Sequence, residues 1–481
     1  MVFVSEIFLF YFLPLVLLGA YWLRHRPVIV YMAWLSLTSF VFYCWETPSY
    51  FFLITFCVVA NWILTTRMSK TEDPSMRKGL LLAVIILDLG MLLFYKYSKF
   101  IMANFNSLTG LYGVELLDSK SAAGHLINSI IFPLGISFYT FHLLSYALDL
   151  YGKKISRARS FNEFACYVTF FPQLVSGPIV RYSEIEADLG RPRLNSANIQ
   201  AGIVFFIVGL AKKALIADSL APFVNSVFDG GAVHSGFLIF LGAVTYAFQI
   251  YFDFSGYSEM AVGLGLVLGI QLPQNFNSPY KSGSVTEFWR RWHMSLSFWF
   301  KDYLFFPMSM HYLRIKPSEI NRYLPVLYTM ILIGIWHGAG WTYLLFGLIY
   351  GIALIIEDVL VFRKRKAPSF ITRIWFWLVM LSAYIFFRSA DIKGAGTIFQ
   401  SIIFRFFDKS FFSDLKSLPL DALMGVALIV PVAWIVFCQK NVYEMNKTLS
   451  LRKSILLSLL FIVSVYFLLA RDYIPFLYFQ F

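Results

Sequence analysis

Charged residues are scarce in this chain. Asp, Glu, Lys and Arg make up 14% of its 481 residues, against 59% hydrophobic ones, whereas a water-soluble domain usually carries about 25% charged residues. No soluble core hides that much apolar surface, so lipid must cover it. Cysteine is scarce too: Cys44, Cys57, Cys166 and Cys438 lack metal-type spacing and fall in or beside apolar runs, which reads as packing and not as a cluster or disulfide framework. There is no Gly-x-Ser-x-Gly elbow, no Walker loop and no His-Glu-x-x-His pair, so serine-hydrolase, NTPase and zinc-protease signatures are missing. Neither a Pro/Gly/Ser linker nor an internal repeat divides the chain. Its longest polar stretches, 96–126 and 389–420, fall short of the ~50 residues at which independent domains begin. The expectation is one membrane domain over residues 1–481.

Long apolar runs are what the chain has in abundance. A membrane-crossing helix needs about 20 mostly apolar residues. Windows of this kind occur at 7–23, 28–45, 80–95, 127–151, 237–252, 324–341, 344–362, 371–387, 423–438 and 455–469, with others near 203–220 and 51–64. A spanning barrel would show alternating polarity, and these runs are apolar all round. The spacing predicts an all-α polytopic membrane protein with about 11–13 transmembrane or re-entrant helices. The first run has no basic leader and no small-x-small cleavage site, and Arg24, His25 and Arg26 follow it, so it reads as retained.

The net charge of +13 is unevenly spread. Basic residues gather in alternate loops, at Arg24/Arg26, 67–78, 153–159, 314–322, 363–366 and 447–453, while 46–50 and 222–235 carry few. The positive-inside rule places the basic set in the cytoplasm and both termini outside. Topology accounts for the surplus, so nucleic-acid binding is not required to explain it.

Polar groups inside membranes are costly and are functional candidates by default. The richest region runs from Gln249 to Trp341. Asp253 and Glu259 offer carboxylates for acid/base work, although Ser255-Gly256 and the glycines at 263, 265 and 269 suggest a helix break with close packing. Next, Thr286 to Tyr303 wound as one helix puts Glu287, Arg290, Arg291, Met294, Ser297, Lys301 and Asp302 on one stripe, with Trp289, Trp292 and Trp299 off it and His293 just beyond its edge. That is an interfacial helix. Its role is either a plain surface anchor or a basic stripe that attracts an anionic cofactor such as coenzyme A. His337 then lies about 13 residues into the run 324–341, roughly 20 Å along a helix axis. Gly338 and Gly340 behind it let the backbone open to a cavity, and an imidazole suits proton removal from a hydroxyl. Among the other histidines, His25 sits in a basic loop and His125, His234 and His311 in connections. His142 shares a helix face with Asp149, as packing or a hydrogen bond.

The run Phe288-Trp-Arg-Arg-Trp-His293-x-Ser-Leu-Ser-x-Trp-x-x-Asp302-Tyr303, followed 44 residues after its histidine by Trp336-His337-Gly338, resembles the signature of bacterial membrane-bound O-acyltransferases. Agreement extends over nearly the whole length, through Pro133-Leu-Gly-Ile-Ser-Phe-Tyr-Thr140, Phe170-Phe-Pro-Gln173, Ser176-Gly-Pro178, Asp253-Phe-Ser-Gly-Tyr257, Asn275-Phe276, Pro279-Tyr280 and Phe387-Arg388. The alginate O-acetyltransferase branch is the most similar. One departure is Pro307-Met-Ser-Met-His311, where that branch commonly has Pro-Leu-Gly-Gly. The stretch Trp292 to Phe300 is also close to the D-alanyl transfer branch, which leaves the acyl donor and acceptor open.

The resemblance implies a helical ring around a catalytic tunnel, with acetyl-CoA as donor substrate and no permanently bound cofactor or metal. It makes His337 the general base, while His293 polarises or positions the thioester or completes the proton path. It places Arg290, Arg291, Lys301, Trp289 and Trp292 toward the donor, with Asp302, Tyr303, Trp336 and Asp253 as further candidates. The acceptor would be an alginate-like exopolysaccharide or another cell-surface polymer, reached through an extracytoplasmic, SGNH-hydrolase-like partner at the bacterial inner membrane. Besides membrane lipid, no nucleic acid is implied. Teichoic acid D-alanylation from a charged carrier protein is the neighbouring reading. From another class, a secondary transporter or lipid flippase would share the hydropathy, but it needs no histidine pair and commonly shows inverted repeats.

Overall fold

A computed structural model describes residues 1–110, 122–229, 235–362, 369–471 and 474–477. The basic run 363–366, His234 and parts of the polar stretch 96–126 and of the C-terminal segment lie outside the described residues. Among the described residues every regular element is helical. Among those residues eight helices are long and apolar enough to cross a membrane, and each overlaps one of the expected windows.

The other windows fold differently, for local reasons. Those at 7–23 and 28–45 form shorter apolar helices, Phe8–Leu23 and Val28–Cys44. The window 127–151 is interrupted: one helix ends at Ser129, and Ile136–Tyr151 starts after Pro133 and Gly135. Pro133 has no N–H to give a helix. Gly135 sits at φ +77°, and a Cβ there would lie 2.6 Å from the Leu174 carbonyl oxygen, so only glycine fits. An unexpected apolar helix, Ile392–Phe404, lies within the stretch 389–420, which is polar in overall composition.

The chain divides into two compact units, Met1–Leu194 with Leu268–Leu272, and Asn195–Val267 with Pro273–Phe481. In the first, Asn61 of Tyr50–Lys70 donates to Asp88 of Pro74–Gly110 at 2.8 Å, both buried. His142 accepts from the Val180 N–H at 3.2 Å and its ring packs on Tyr167, while Asp149 meets Lys154 at 3.6 Å. Of the cysteines, Cys57 and Cys166 are buried and Cys438 is exposed.

Seven helices of the second unit build the site: α1 (Ser196–Phe228), α2 (Gly236–Val267), α3 (Val285–Arg291), α4 (Met294–Phe300), α5 (Glu319–His337), α6 (Trp341–Glu357) and α7 (Ser369–Arg388). The break expected at Ser255-Gly256 does not occur, because α2 runs unbroken for 32 residues. Its glycines serve close approach instead. A Cβ on Gly256 would stand 2.7 Å from the Gly209 carbonyl oxygen, and one on Gly263 2.6 Å from that of Gly202. Small residues draw membrane helices together in this way, and a helix that keeps every backbone group paired loses nothing to water there.

Where α1 passes through a π-turn at Lys212–Ala217, two successive lysines find acids. Lys213 Nζ lies 2.7 Å from both Asp218 and Asp253, and Lys212 pairs with Glu259 of α2. Asp253 also accepts from the Leu477 N–H at 2.9 Å. The carboxylates singled out in the sequence are therefore committed to ion pairs. Removing one partner of a buried pair typically costs about 3–5 kcal/mol. Lys213→Met should accordingly lower the melting temperature in detergent steeply, and Asp253→Asn added to it should recover part of the loss. An unchanged melting temperature for the single variant would show that the network is dispensable.

Candidate active site: two histidines at helix breaks beside a basic cavity

The first histidine is placed by a turn. The amino end of α3 is capped by the Ser284 hydroxyl, which accepts from the Glu287 N–H at 3.1 Å. Buried Glu357 of α6 takes the N–H groups of Val285 and Thr286, at 2.8 and 3.0 Å. The single helix expected over 286–303 is in fact two, because α3 stops at Arg291 and α4 begins at Met294. Between them His293 adopts φ +43°, ψ +54°, a left-handed conformation uncommon for a residue with a Cβ. The cause lies outside the segment. Asn275 accepts the N–H groups of Met294 through its carbonyl, at 2.9 Å, and of Ser295 through its side chain, at 3.3 Å. The break also withdraws the tryptophans from any lipid-facing belt: Trp289, Trp292 and Trp299 are all buried in protein, and Trp292 packs on Phe276 and Phe288.

The second histidine is placed by a helix end. The expected span 324–341 stops at His337, the last residue of α5; Gly338 is extended, and α6 starts at Trp341. His337 is thus at a break and not in mid-helix. The glycines do open the backbone there, and others let α5 and α6 cross. A Cβ on Gly334 would stand 2.2 Å from the Tyr343 carbonyl oxygen, and one on Gly347 2.3 Å from that of Met330.

These two breaks meet. The imidazoles of His293 and His337 are 6.5 Å apart between centroids, tilted by 55°, and both are buried. Trp336 sets its edge against both rings, at 6.0 and 5.0 Å. Phe254 of α2 covers His293 at 4.7 Å, and Phe387 of α7 covers His337 at 5.3 Å. Burial holds His293 well below the ordinary imidazole pKa, so its ring is neutral at pH 7. Its Nδ1 lies 3.1 Å from Asn275 Oδ1. His337 sits at the carbonyl end of α5, where a helix favours a positive charge, the charge an imidazole acquires when it takes a proton.

A cavity of about 450 Å³ lies against the same helices, within the ~300–1,000 Å³ range of small-molecule sites. Trp289 and Arg290 of α3, Lys301 after α4, and Arg322 of α5 contribute to its lining. So do Val326, Met330 and Ile333, which mark one face of α5; the next position on that face, four residues on, is His337. Arg322 is partly neutralised by Asp358, 3.4 Å away. Arg291 is not among the lining residues and binds Glu287 at 2.8 Å. Asp302 and Tyr303 lie half-buried in a π-turn, Lys301–Phe305, with Tyr303 against Trp299. Asp253 is held by Lys213, as described. His25 and His311 are exposed and remote in chain from these breaks. No group of three or more metal-ligating side chains occurs among the described residues.

Three contributors escaped the sequence reading. Arg322 counted only as loop charge. Asn275 stood in a recognised Asn-Phe pair with no role, and Glu357 was not singled out at all.

Residues 150–390 match the model of the membrane-bound O-acyltransferase family. The whole chain is 33% identical to the whole of a probable alginate O-acetylase from Azotobacter vinelandii. It is also 33% identical to a peptidoglycan O-acetyltransferase from Helicobacter pylori, over 84% of this chain and 80% of that one. A teichoic acid D-alanyltransferase from Streptococcus thermophilus shares 30% identity over 50% of this chain and 60% of its own.

The Glu357 clamp can be tested alone. Glu357→Leu would strand the backbone donors of buried Val285 and half-buried Thr286, of which a fully buried one is worth about 1–3 kcal/mol, and should lower the melting temperature clearly, with Glu357→Gln intermediate. Equal melting of all three proteins would remove the clamp from the account.

Proposed function

This chain belongs to the membrane-bound O-acyltransferase family, and on that premise we propose that it moves an acetyl group from acetyl-CoA to a sugar hydroxyl of a cell-surface polysaccharide. The observation that carries the reading is the pair of buried imidazoles 6.5 Å apart, one turn of α5 beyond a cavity edged by Arg290 and Lys301. The cations suit the phosphates of the donor, and the apolar α5 face suits the arm that bears the thioester.

In the step proposed, the hydroxyl oxygen attacks the thioester carbonyl carbon. A C–O bond forms, the C–S bond breaks, and the hydroxyl proton passes to His337 and from there to the departing thiolate. His293 orients the reacting groups. Burial of the pair keeps water out, which favours transfer over hydrolysis. No metal takes part in this scheme.

Full-length similarity to a protein named for alginate acetylation supports an alginate-like exopolysaccharide as acceptor, and the peptidoglycan relative supports the wider class of cell-surface glycans. We place the basic loops in the cytoplasm of a bacterial inner-membrane protein, with both termini outside. An extracytoplasmic, SGNH-hydrolase-like protein would receive the acetyl group and complete the delivery.

Purified protein given radiolabelled acetyl-CoA should transfer label to a glycan or partner acceptor. His337→Ala should lose transfer by ~10² to 10⁴ while keeping its melting temperature; a stable variant with wild-type turnover would sink the mechanism. Turnover only with a D-alanyl-charged carrier protein would instead favour D-alanyl transfer. For the cavity, Arg290→Ala with Lys301→Ala should raise the donor KM, and Arg291→Ala, whose guanidinium is committed to Glu287, should raise it less. Unchanged donor affinity in the folded double variant would make the basic stripe an anchor only.

A further inference from the structure

The roles open to His293 differ in where its proton sits. A ring that polarises the thioester carbonyl must donate a hydrogen bond, whereas one that engages the hydroxyl proton must accept one. Which nitrogen bears the proton is set by the hydrogen bond the other makes, and that bond can be read here.

Asn275 Oδ1 receives the backbone N–H of Ser295 at 3.3 Å and its hydroxyl at 2.9 Å. A backbone N–H only donates, so the atom it faces is the amide oxygen. The other end of the same amide donates from Nδ2 to the Ser258 hydroxyl of α2, at 3.1 Å. A flipped amide would set Nδ2 against the Ser295 N–H, donor against donor. With the oxygen fixed, His293 Nδ1 at 3.1 Å from it must carry the hydrogen. A neutral imidazole has only one N–H, so Nε2 presents a lone pair.

We infer that Asn275 is a positioning residue that holds His293 as its Nδ1–H tautomer, so that Nε2 accepts a hydrogen bond from the attacking hydroxyl and does not polarise the thioester carbonyl. The inference rests on the acyl-transfer reading above and deepens it. The carbonyl of the same residue also holds the Met294 N–H at 2.9 Å. One asparagine thus fixes both the left-handed turn that aims the ring and the proton that defines its chemistry. Before attack the hydroxyl donates its one hydrogen to His293 Nε2, which aims an oxygen lone pair at the thioester carbon. As the C–O bond forms that hydrogen turns to His337, which takes the proton and gives it to the thiolate as the C–S bond breaks.

A simple helix cap would also explain the bonds to Met294 and Ser295, so the test must read the ring itself. Full-length protein labelled with ¹⁵N-histidine, in lipid nanodiscs, reports which nitrogen of each imidazole is protonated, and His293→Gln identifies the signals to follow. The wild type should show His293 protonated at Nδ1. An Nε2–H form would overturn the inference directly. Asn275→Asp keeps an acceptor at Nδ1 and should keep that tautomer. Asn275→Leu removes it and should lower kcat by about 10- to 100-fold, as loss of an orienting partner commonly does, with the donor KM unchanged. Should the leucine variant fail to fold, the spectra of the wild type and of Asn275→Asp still decide the matter. His293→Ala separates the two levels of argument. If it transfers acetyl at the wild-type rate, the catalytic reading of His293 is wrong. If it is inactive while folded Asn275→Leu turns over normally, only the role of Asn275 is wrong.

Discussion

In hydrocarbon there is no water to satisfy a polar group, so every donor, acceptor and charge carried into the helices must find its partner in the protein. Much of this structure follows from that constraint. Lys213 is tolerable because Asp218 and Asp253 flank it at 2.7 Å. Asp88 is tolerable because Asn61 reaches it from the neighbouring helix. The free amino end of α3 is tolerable because Glu357 takes two of its N–H groups. Each such pairing ties one helix to another, so the cost of burying polarity is converted into a fixed arrangement of helices.

The same constraint explains why the candidate chemistry sits at breaks. A regular helix keeps its backbone groups occupied and offers a ligand only side chains. At Gly338 and at His293 the helix stops, and the backbone groups it frees need partners in the protein. Asn275 meets that need at one break. At the other, Gly340 donates back to the Gly338 carbonyl at 3.1 Å. Irregular backbone of this sort persists at depth where it borders protein or a cavity, and a cavity adjoins it here. The aromatic edges of Trp336, Phe254, Phe346 and Phe387 then fill the remaining space around the rings.

Hydropathy made the long helices legible because a spanning helix is a property of local composition: the eight that qualify each fall on a recognisable window. The histidine pair was legible as well, through a motif specific enough to name a family. What composition could not carry was any event decided by a distant residue. The run 286–303 has good helical periodicity, and nothing inside it announces that Asn275, 18 residues before His293, will capture the N–H groups of the next turn. Gly338 looked like a point of opening within a span, and the full stop at His337 depends on how α6 folds back across Gly334 and Gly347. Asp253 invited a catalytic reading because its partner Lys213 lies 40 residues earlier on another helix. The Ser-Gly pair beside it suggested a break, but glycine in a buried helix serves close packing as readily as flexibility.

The placement of charge relative to the histidines bears on the kind of donor the site suits. Cations stand at Arg290, Lys301 and Arg322, while Phe254, Trp336 and Phe387 pack against the two imidazoles. A cation beside the pair would oppose the positive charge that an imidazole takes up with a proton, so anion binding and proton transfer are best held apart. Along α5 the separation from Arg322 to His337 is 15 residues, about 22 Å at 1.5 Å per residue, and Val326, Met330 and Ile333 cover the interval with apolar surface. A small acyl phosphate would leave its acyl carbon among the cations, well short of the imidazoles. A donor with phosphates at one end, a long uncharged arm and a thioester at the other meets both requirements at once. That is the chemistry of an acyl-coenzyme A, and it is also, with the phosphate nearer the protein that bears it, the chemistry of an acyl carrier. The length of α5 therefore supports the proposed thioester on an arm, and the cations at its far end suit the phosphates of the proposed coenzyme.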